Sequence, residues 1–426
     1  MMIMSDAYAY VEQLGKNARS AATKLMRTTG QQRNQALRVM AQSIRQSRDE
    51  LIRENAKDIQ EAESEGLARP LIERLRLNEK RIEAMASGIE SIAGQTDPVG
   101  QTIEGYNRPD GLRIEKRRVP IGVILFFYES RPNVTSDAAA LCLKSGNAII
   151  LRGGKEAIHS NRAISRIISR SVEQAGLPPH AVQIIENTDR ALVPLILKLD
   201  RYIDLAIPRG GESLIKTVVS EATMPVLKHF TGNCHIYIDR HLEGIEQQVI
   251  KVCVNAKTSY PGGAVCNAVE HILIHRDTVD QILLPLCQAL HERGVEVRGD
   301  KTVTQRFAQA KPATESDWDQ EYLAFIVGIK IVDSVEQAIE HINQHGSHHT
   351  DAILSTSLTT IDAFVAGVDS ASVMINASTR FADGGEYLLG AEIGISTDKL
   401  HARGPMGAAD LTTYKWIVTG QGHIRE

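Results

Sequence analysis

Of the five cysteines in the 426-residue sequence, Cys266 is the one placed where a ligand could reach its sulfur. It lies in the stretch NAKTSYPGGAVCN (255–267), in which Pro261, Gly262 and Gly263 let the backbone bend tightly and approach a bound molecule. A strand-like run, AVEHILIH (268–275), follows directly. Lys257 and the amide dipoles of the turn would favour the thiolate, the form that attacks a carbonyl carbon. The alternative is a small buried hydrophobe, the commoner state of a free cysteine. Cys142, Cys253 and Cys287 fall on apolar helical patterns and Cys234 opens a strand, so these four read as core. Their scatter, without a C-x-x-C pair, suggests neither a disulfide framework nor a structural zinc site. The histidines form no H-E-x-x-H and no G-x-S-x-G elbow occurs, so neither a metal nor a serine nucleophile is expected.

Two glycine turns enter predicted helices: RGGKEA, with Arg152, Gly153, Gly154 and Lys155, and PRGGES, with Pro208, Gly210 and Gly211. Each could offer backbone N–H groups at a helix N-terminus to a phosphate, with Lys155 adding fixed positive charge. Each could equally be an ordinary strand-to-helix turn, and neither matches G-x-G-x-x-G. Asn133, in RPN after a strand, is either a donor to a developing oxyanion or a cap for the helix that follows. Arg131, Lys257, the run Ser378-Thr379-Arg380, and Arg403 could hold an anionic substrate; surface ion pairing is the plainer role for an isolated arginine.

Composition narrows the field. The 48 basic and 52 acidic residues leave a net charge of -4, and aromatic residues make up 4%. That balance argues against general binding of nucleic acid or an anionic membrane. The longest apolar run, 119–127, is far short of the ~20 residues a membrane span needs. The start, MMIMSDAYAY, has no basic region leading into an apolar core, so a cytoplasmic protein with reduced thiols is expected.

These groups need elements to position them. Apolar residues recur at helical spacing up to about residue 95, as in Val11, Leu14, Ala18, Ala21, Leu25 and Leu37, Met40, Ala41, Ile44. Residues 102–106 and 112–119, around the turn NRPDG, predict a hairpin that either pairs with another subunit or lies on the surface. From Val119 strands and helices alternate: strands at 119–127, 148–152, 182–185 and 202–207, then at 235–239, 269–275, 328–332 and 350–355. Their helices include 155–175, 212–221, 244–254, 278–294 and 334–345. A last strand is expected at 413–419. This pattern predicts parallel sheets covered on both faces, with ligands at the carboxyl ends of strands.

Four motifs in order, FFYESRPNVTSDAAALCLKSGNAIILRGGKEA, IPRGGESLI, NAK followed by CNAVEHILIHRD, and INASTRFADGG leading to LGAEIGISTDKLHARGPMG, resemble the gamma-glutamyl phosphate reductases of the aldehyde dehydrogenase superfamily. The resemblance spans nearly the whole chain. It implies an α/β fold of two doubly wound parallel-sheet domains with a small oligomerisation hairpin. Residues 1–101 and 119–225 would bind NADPH, 226–375 would be catalytic, 102–118 and 400–426 would join subunits, and 376–399 would return to the cofactor domain and the active-site rim. It implies Cys266 as nucleophile and Asn133 as oxyanion donor, with Lys155 at the 2′-phosphate ribose, Gly210-Gly211 at the pyrophosphate and Glu321 at the nicotinamide ribose.

The activity so implied is NADPH-dependent reduction of L-glutamyl 5-phosphate to glutamate 5-semialdehyde, the second step of proline synthesis. It would run in a homo-oligomer, with the acyl phosphate handed over by a glutamate 5-kinase. Hydrolysing relatives carry a glutamate that activates water; the corresponding position falls near His229, in VLKHFTG, where no glutamate stands. Gly262-Gly263 depart from the family by lengthening the loop before the cysteine. A non-phosphorylating aldehyde dehydrogenase and a catalytically silent nucleotide-binding assembly subunit are the competing expectations.

Overall fold

The computed structural model describes residues 4–228 and 231–425. It divides into two compact units, one holding the chain to Lys228 with Leu388–Gly394 and the chain from Met406, the other its remainder to Tyr387 with Ile395–Pro405.

In the first unit, helices Met4–Leu25, Gly30–Gln46, Arg48–Ser64 and Glu79–Gly94 carry the predicted apolar stripes, and Val11, Ala18, Leu25, Leu37, Met40 and Ile44 are fully buried. Met4–Leu25 packs on a parallel sheet and the others on helices Asn133–Lys144 and Ile158–Gln174; the sheet's strands run in the spatial order Val182–Ile184, Ala148–Arg152, Val123–Tyr128, Leu205–Arg209. The chain builds this sheet outward from Val123–Tyr128 and then returns to add Leu205–Arg209 on the other side. The order therefore reverses between those two strands, where a crevice opens at their carboxyl ends.

The strands predicted at 112–119 and 119–127 are both present, but the second begins only at Val123. Arg113–Pro120 belongs to an antiparallel ribbon and Val123–Tyr128 to the parallel sheet. Pro120 ends one ladder, and Gly122 turns the chain at φ +134, where an added Cβ would lie 2.1 Å from Asp204 Oδ2. That carboxylate accepts from the Val123 amide at 2.8 Å. In the ribbon, Arg113–Pro120 lies between Thr102–Asn107 and Thr412–Thr419, and Ile103, Tyr106, Tyr414, Trp416 and Val418 are exposed.

The second unit centres on a parallel sheet ordered Lys311–Pro312, Glu296–Gly299, Ile326–Val332, Val269–His275, Cys234–Ile238, Thr350–Leu354, Ser372–Ile375. The helix expected at 244–254 runs instead over Glu246–Thr258, because nothing breaks it before Ser259 and Pro261. Asn255, Ala256 and Lys257 are thus helical and not part of the turn. Cys266 precedes Val269–His275, as its place ahead of the run AVEHILIH predicts, so it stands at the amino edge of its sheet.

One face of this sheet buries a column of imidazoles. His235 and His271 sit side by side on neighbouring strands with ring centroids 5.0 Å apart, and His341 from helix Val335–His345 lies 5.6 Å from His235. Burial, reinforced by the neighbouring His235, pulls His341 down to about 2 and His271 well below its ordinary range. The unfolded chain binds these protons near pH 6.5 and the folded chain does not. Stability is therefore complete above that pH and falls below it by about 1.4 kcal/mol per pH unit for each histidine. Thermal unfolding of the second unit should shift to lower temperature between about pH 7 and 5.5, less steeply in His341→Gln. A midpoint that is level across this range would refute the assignment.

Candidate active site

The turn that carries Cys266 is held by its neighbours' backbones. Among the free cysteines Cys266 alone is partly exposed, while Cys142, Cys234, Cys253 and Cys287 are buried. Gly232, two residues before strand Cys234–Ile238, lies so close that an added Cβ would be 1.9 Å from the Cys266 carbonyl oxygen and 2.6 Å from its Cα. Cys234 donates its thiol hydrogen to the same carbonyl at 3.2 Å, and the Gly232 amide donates to Glu321 Oε1 at 2.9 Å. Upstream, Gly262 and Gly263 both take left-handed φ values, +69 and +67, and a Cβ on Gly263 would press on Ala324 O at 2.9 Å. The turn thus needs glycine at 263 for space as well as for conformation.

A second turn is tied to the first. Asn267 donates from Nδ2 to Ala382 O at 3.0 Å and to Arg380 O at 3.4 Å, which brings the segment Ser378-Thr379-Arg380 against the cysteine turn. Arg380 donates from Nε to Ser259 Oγ at 3.2 Å and lies over the Tyr260 ring. Around this junction Asn267 Oδ1, Thr379 Oγ1 and Arg380 Nη1 are buried without a partner among the described residues. Buried polar atoms are ordinarily satisfied, so the Thr379 hydroxyl and the Arg380 guanidinium N–H left open here are donors for a small polar anion, while Asn267 Oδ1 can only accept.

Lys257 is placed elsewhere. It is fully buried, with Nζ 2.7 Å from Glu270 Oε2, itself fully buried. Burial draws Lys257 down and pushes Glu270 up to about 7, each shift opposed by the partner's charge and the hydrogen bond between them. Its charge is engaged by Glu270 and is not offered to a ligand. Arg403 is likewise anchored: Nη2 donates to Asp369 Oδ1 at 2.7 Å, and Lys399 followed by Arg403 holds that carboxyl at about 2. Ser378 accepts from the Arg380 amide through Oγ at 3.3 Å. Glu321 belongs to the network behind the cysteine turn. His229 lies outside the described residues.

In the first unit the two glycine turns part ways. The helix after RGGKEA, Ile158–Gln174, has its first amides taken: Asp58 accepts from His159 N at 2.9 Å and Ser160 N at 2.8 Å. A carboxylate sits where phosphate would have to, so this N-terminus is closed to anions. Arg152 is engaged as well, donating to the carbonyls of Asn187, Thr188 and Asp189. Gly153 is pressed against Asn161 and Tyr128, and Lys155 reaches Glu65 at 3.3 Å with both side chains half exposed. The helix Glu212–Glu221, in contrast, starts at Gly211 with no side-chain cap, and a Cβ on Gly211 would meet nothing within 4 Å. Pro208 is the penultimate residue of strand Leu205–Arg209, so Gly210-Gly211 stands at the carboxyl end beside the reversal in strand order. The neighbouring strand end carries Arg131, whose amide donates to Glu129 O, and Asn133, exposed at the head of helix Asn133–Lys144. These residues can hold the phosphates of a dinucleotide on open amides.

Residues not singled out from sequence complete the arrangement: Gly232, Cys234 and Asn267 at the nucleophile, Ser259 and Tyr260 behind Arg380, and Glu270 opposite Lys257. No local pattern marks a glycine whose role is to admit a carbonyl from a turn more than thirty residues on. Among the described residues no three His, Cys, Asp or Glu side chains could hold a metal ion, and no helix is long and apolar enough to cross a membrane.

Residues 3–305 match the family model described as the aldehyde dehydrogenase family. The gamma-glutamyl phosphate reductase of Moorella thermoacetica is 49% identical over 98% of this chain and 99% of its own length. That of Thermoanaerobacter sp. is 48% identical over 98% of this chain and 100% of its own. The crystal structure of gamma-glutamyl phosphate reductase from Thermotoga maritima superposes with a TM-score of 0.94 at 43% identity, covering 98% of this chain and 100% of that one.

The Gly232 contact gives a direct test. Gly232→Ala should displace the Cys266 carbonyl and lower the rate of thiol alkylation by iodoacetamide at least about tenfold while circular dichroism is retained, because overpacking at a fixed backbone shifts what it touches. An alkylation rate equal to that of the parent protein would show that the contact does not seat the cysteine.

Proposed function

We infer the reaction from one premise: the chain belongs to the aldehyde dehydrogenase family, among its gamma-glutamyl phosphate reductases. It is an oxidoreductase of proline biosynthesis that uses a nicotinamide cofactor. The reaction proposed in full is reduction of L-glutamyl 5-phosphate to L-glutamate 5-semialdehyde with NADPH, through a thioester on Cys266. The observation that carries it is the partly exposed thiol on a turn that Asn267 clamps to a segment bearing two unsatisfied donors, the Thr379 hydroxyl and the Arg380 guanidinium.

In this scheme Cys266 attacks the acyl carbon, the bond from carbon to the phosphate oxygen breaks, and phosphate leaves with the electron pair. Arg380, with Ser378 and Thr379, holds the negative groups of the substrate during that step, and Arg131 supports it from the strand end. A bound nicotinamide dinucleotide supplies hydride to the thioester carbonyl. The Cys266 amide and the Asn133 side chain hold the oxygen that turns negative, and its collapse expels the thiolate and frees the aldehyde. The sequence VLKHFTG supplies no glutamate to activate water, so the thioester is kept for reduction.

Gly210 and Gly211 fit the pyrophosphate, since their helix start is uncapped and Gly211 has open space beside it. Lys155 suits a 2′-phosphate: its half-exposed pair with Glu65 contributes only about 0–1 kcal/mol, so a phosphate dianion can replace the carboxylate. The ribbon 102–120 with 412–419 exposes more apolar surface than a lone three-stranded sheet can cover, which supports a role in joining subunits of a homo-oligomer. A cytoplasmic location and receipt of the acyl phosphate from a kinase complete the proposal.

Cys266→Ala should abolish phosphate-dependent NADP reduction with the semialdehyde, by about 10⁴-fold or more, while NADPH still binds. Turnover that survives this change excludes the thioester. Lys155→Ala should raise the KM for NADPH about tenfold and leave that for NADH in place, the value of one charge-assisted contact. Equal losses with both cofactors would remove Lys155 from 2′-phosphate recognition.

A further inference from the structure

Asn133 has a partner on its own helix. Its Nδ2 donates to Asp137 Oδ2 at 3.0 Å, one turn along helix Asn133–Lys144. Ser136 lies between them, donating from Oγ to the Asn133 carbonyl at 2.7 Å and lying 3.4 Å from Asp137 Oδ1. From the neighbouring strand Leu205–Arg209 the charge that acts on Asp137 is Arg209, whose guanidinium is also 3.4 Å from Glu392 Oε1.

We propose that Asp137 is the positioning residue for the Asn133 amide, fixing which end of that amide is presented to the reaction. The argument is one of donors and acceptors. An ionised carboxylate only accepts, so it must receive an N–H and can never face the amide oxygen. With one Nδ2 hydrogen on Asp137, the second remains as a donor, and Oδ1 is turned the other way. An asparagine without that restraint rotates its amide freely and spends part of its time presenting oxygen to an oxygen that is becoming negative. The inference rests on the reading of Asn133 as oxyanion donor and adds what makes that donor dependable.

Burial pushes the Asp137 carboxyl up to about 6, against the hydrogen bond from Asn133, the charge of Arg209 and the hydrogen bond from Ser136, all of which favour its ionised form. A neutral acid can donate to Oδ1 as readily as it accepts from Nδ2, so the restraint holds above that pH and lapses below it. Asp137→Asn removes the restraint at every pH with little change of shape.

The test is the ratio of kcat for the parent enzyme to kcat for Asp137→Asn across about pH 5 to 8, a ratio in which titration of phosphate and cofactor cancels. It should be between about two and ten at the alkaline end, the share of enzyme whose amide is wrongly turned, and approach one below about pH 5.5. KM for substrate should stay within about twofold. A ratio near one throughout, or one that does not change with pH, overturns the proposal. Asn133→Ala separates it from its premise: kcat should fall about 10²–10³-fold, as for loss of one oxyanion donor. If Asn133→Ala is active, the oxyanion reading fails; if it is inactive and the pH-dependent ratio is absent, the positioning role alone fails.

Discussion

The approach of Gly232 to the Cys266 carbonyl is the contact on which the rest of the candidate site depends. At 1.9 Å from an added Cβ there is room for hydrogen and nothing larger, so the start of one strand and the turn before its neighbour are fixed to each other through backbone. Backbone contacts of this kind do not rotate away as side chains do. Cys234 then adds a donor to the same carbonyl, and Asn267 carries the placement on to the Ser378-Thr379-Arg380 turn. A reactive thiol and its anion cradle are thus positioned by one continuous stretch of main chain at the amino edge of the sheet.

Electrostatics divides the first unit in the same economical way. Two helices begin after glycine turns, and both carry the partial positive charge of a helix start. Asp58 occupies one of them, which serves the packing of helix Ile158–Gln174 against Arg48–Ser64. The other, at Gly211, has no acidic cap and lies where the strand order reverses. A buried carboxylate from a distant helix decides between two sequence motifs that look alike.

Much of the fold was legible. Helical stripes, the parallel strands and the ribbon follow from periodicity, because burying one face of an element leaves a trace at 3.6 or 2 residues. Boundaries were less so. The strands expected to meet at Val119 are parted by the turn at Pro120 and Gly122, and the helix before the cysteine ran four residues further than its apolar pattern. In both cases the local chemistry was in view, but its effect depended on which neighbour accepted the hydrogen bonds.

By itself the sequence determined the family and singled out Cys266 as the candidate nucleophile, since a lone cysteine after Pro-Gly-Gly and four ordered motifs are local facts that need no fold to be seen. It could not say what each charged group would be spent on. Lys257, two residues from the turn and to all appearance available to a ligand, is buried against Glu270; Arg403 goes to Asp369, Arg152 to three carbonyls, and Asn133 to Asp137. The partner of a charge is chosen by distance in space and by the loss of water around it, and both arise only when residues far apart in the chain are packed together.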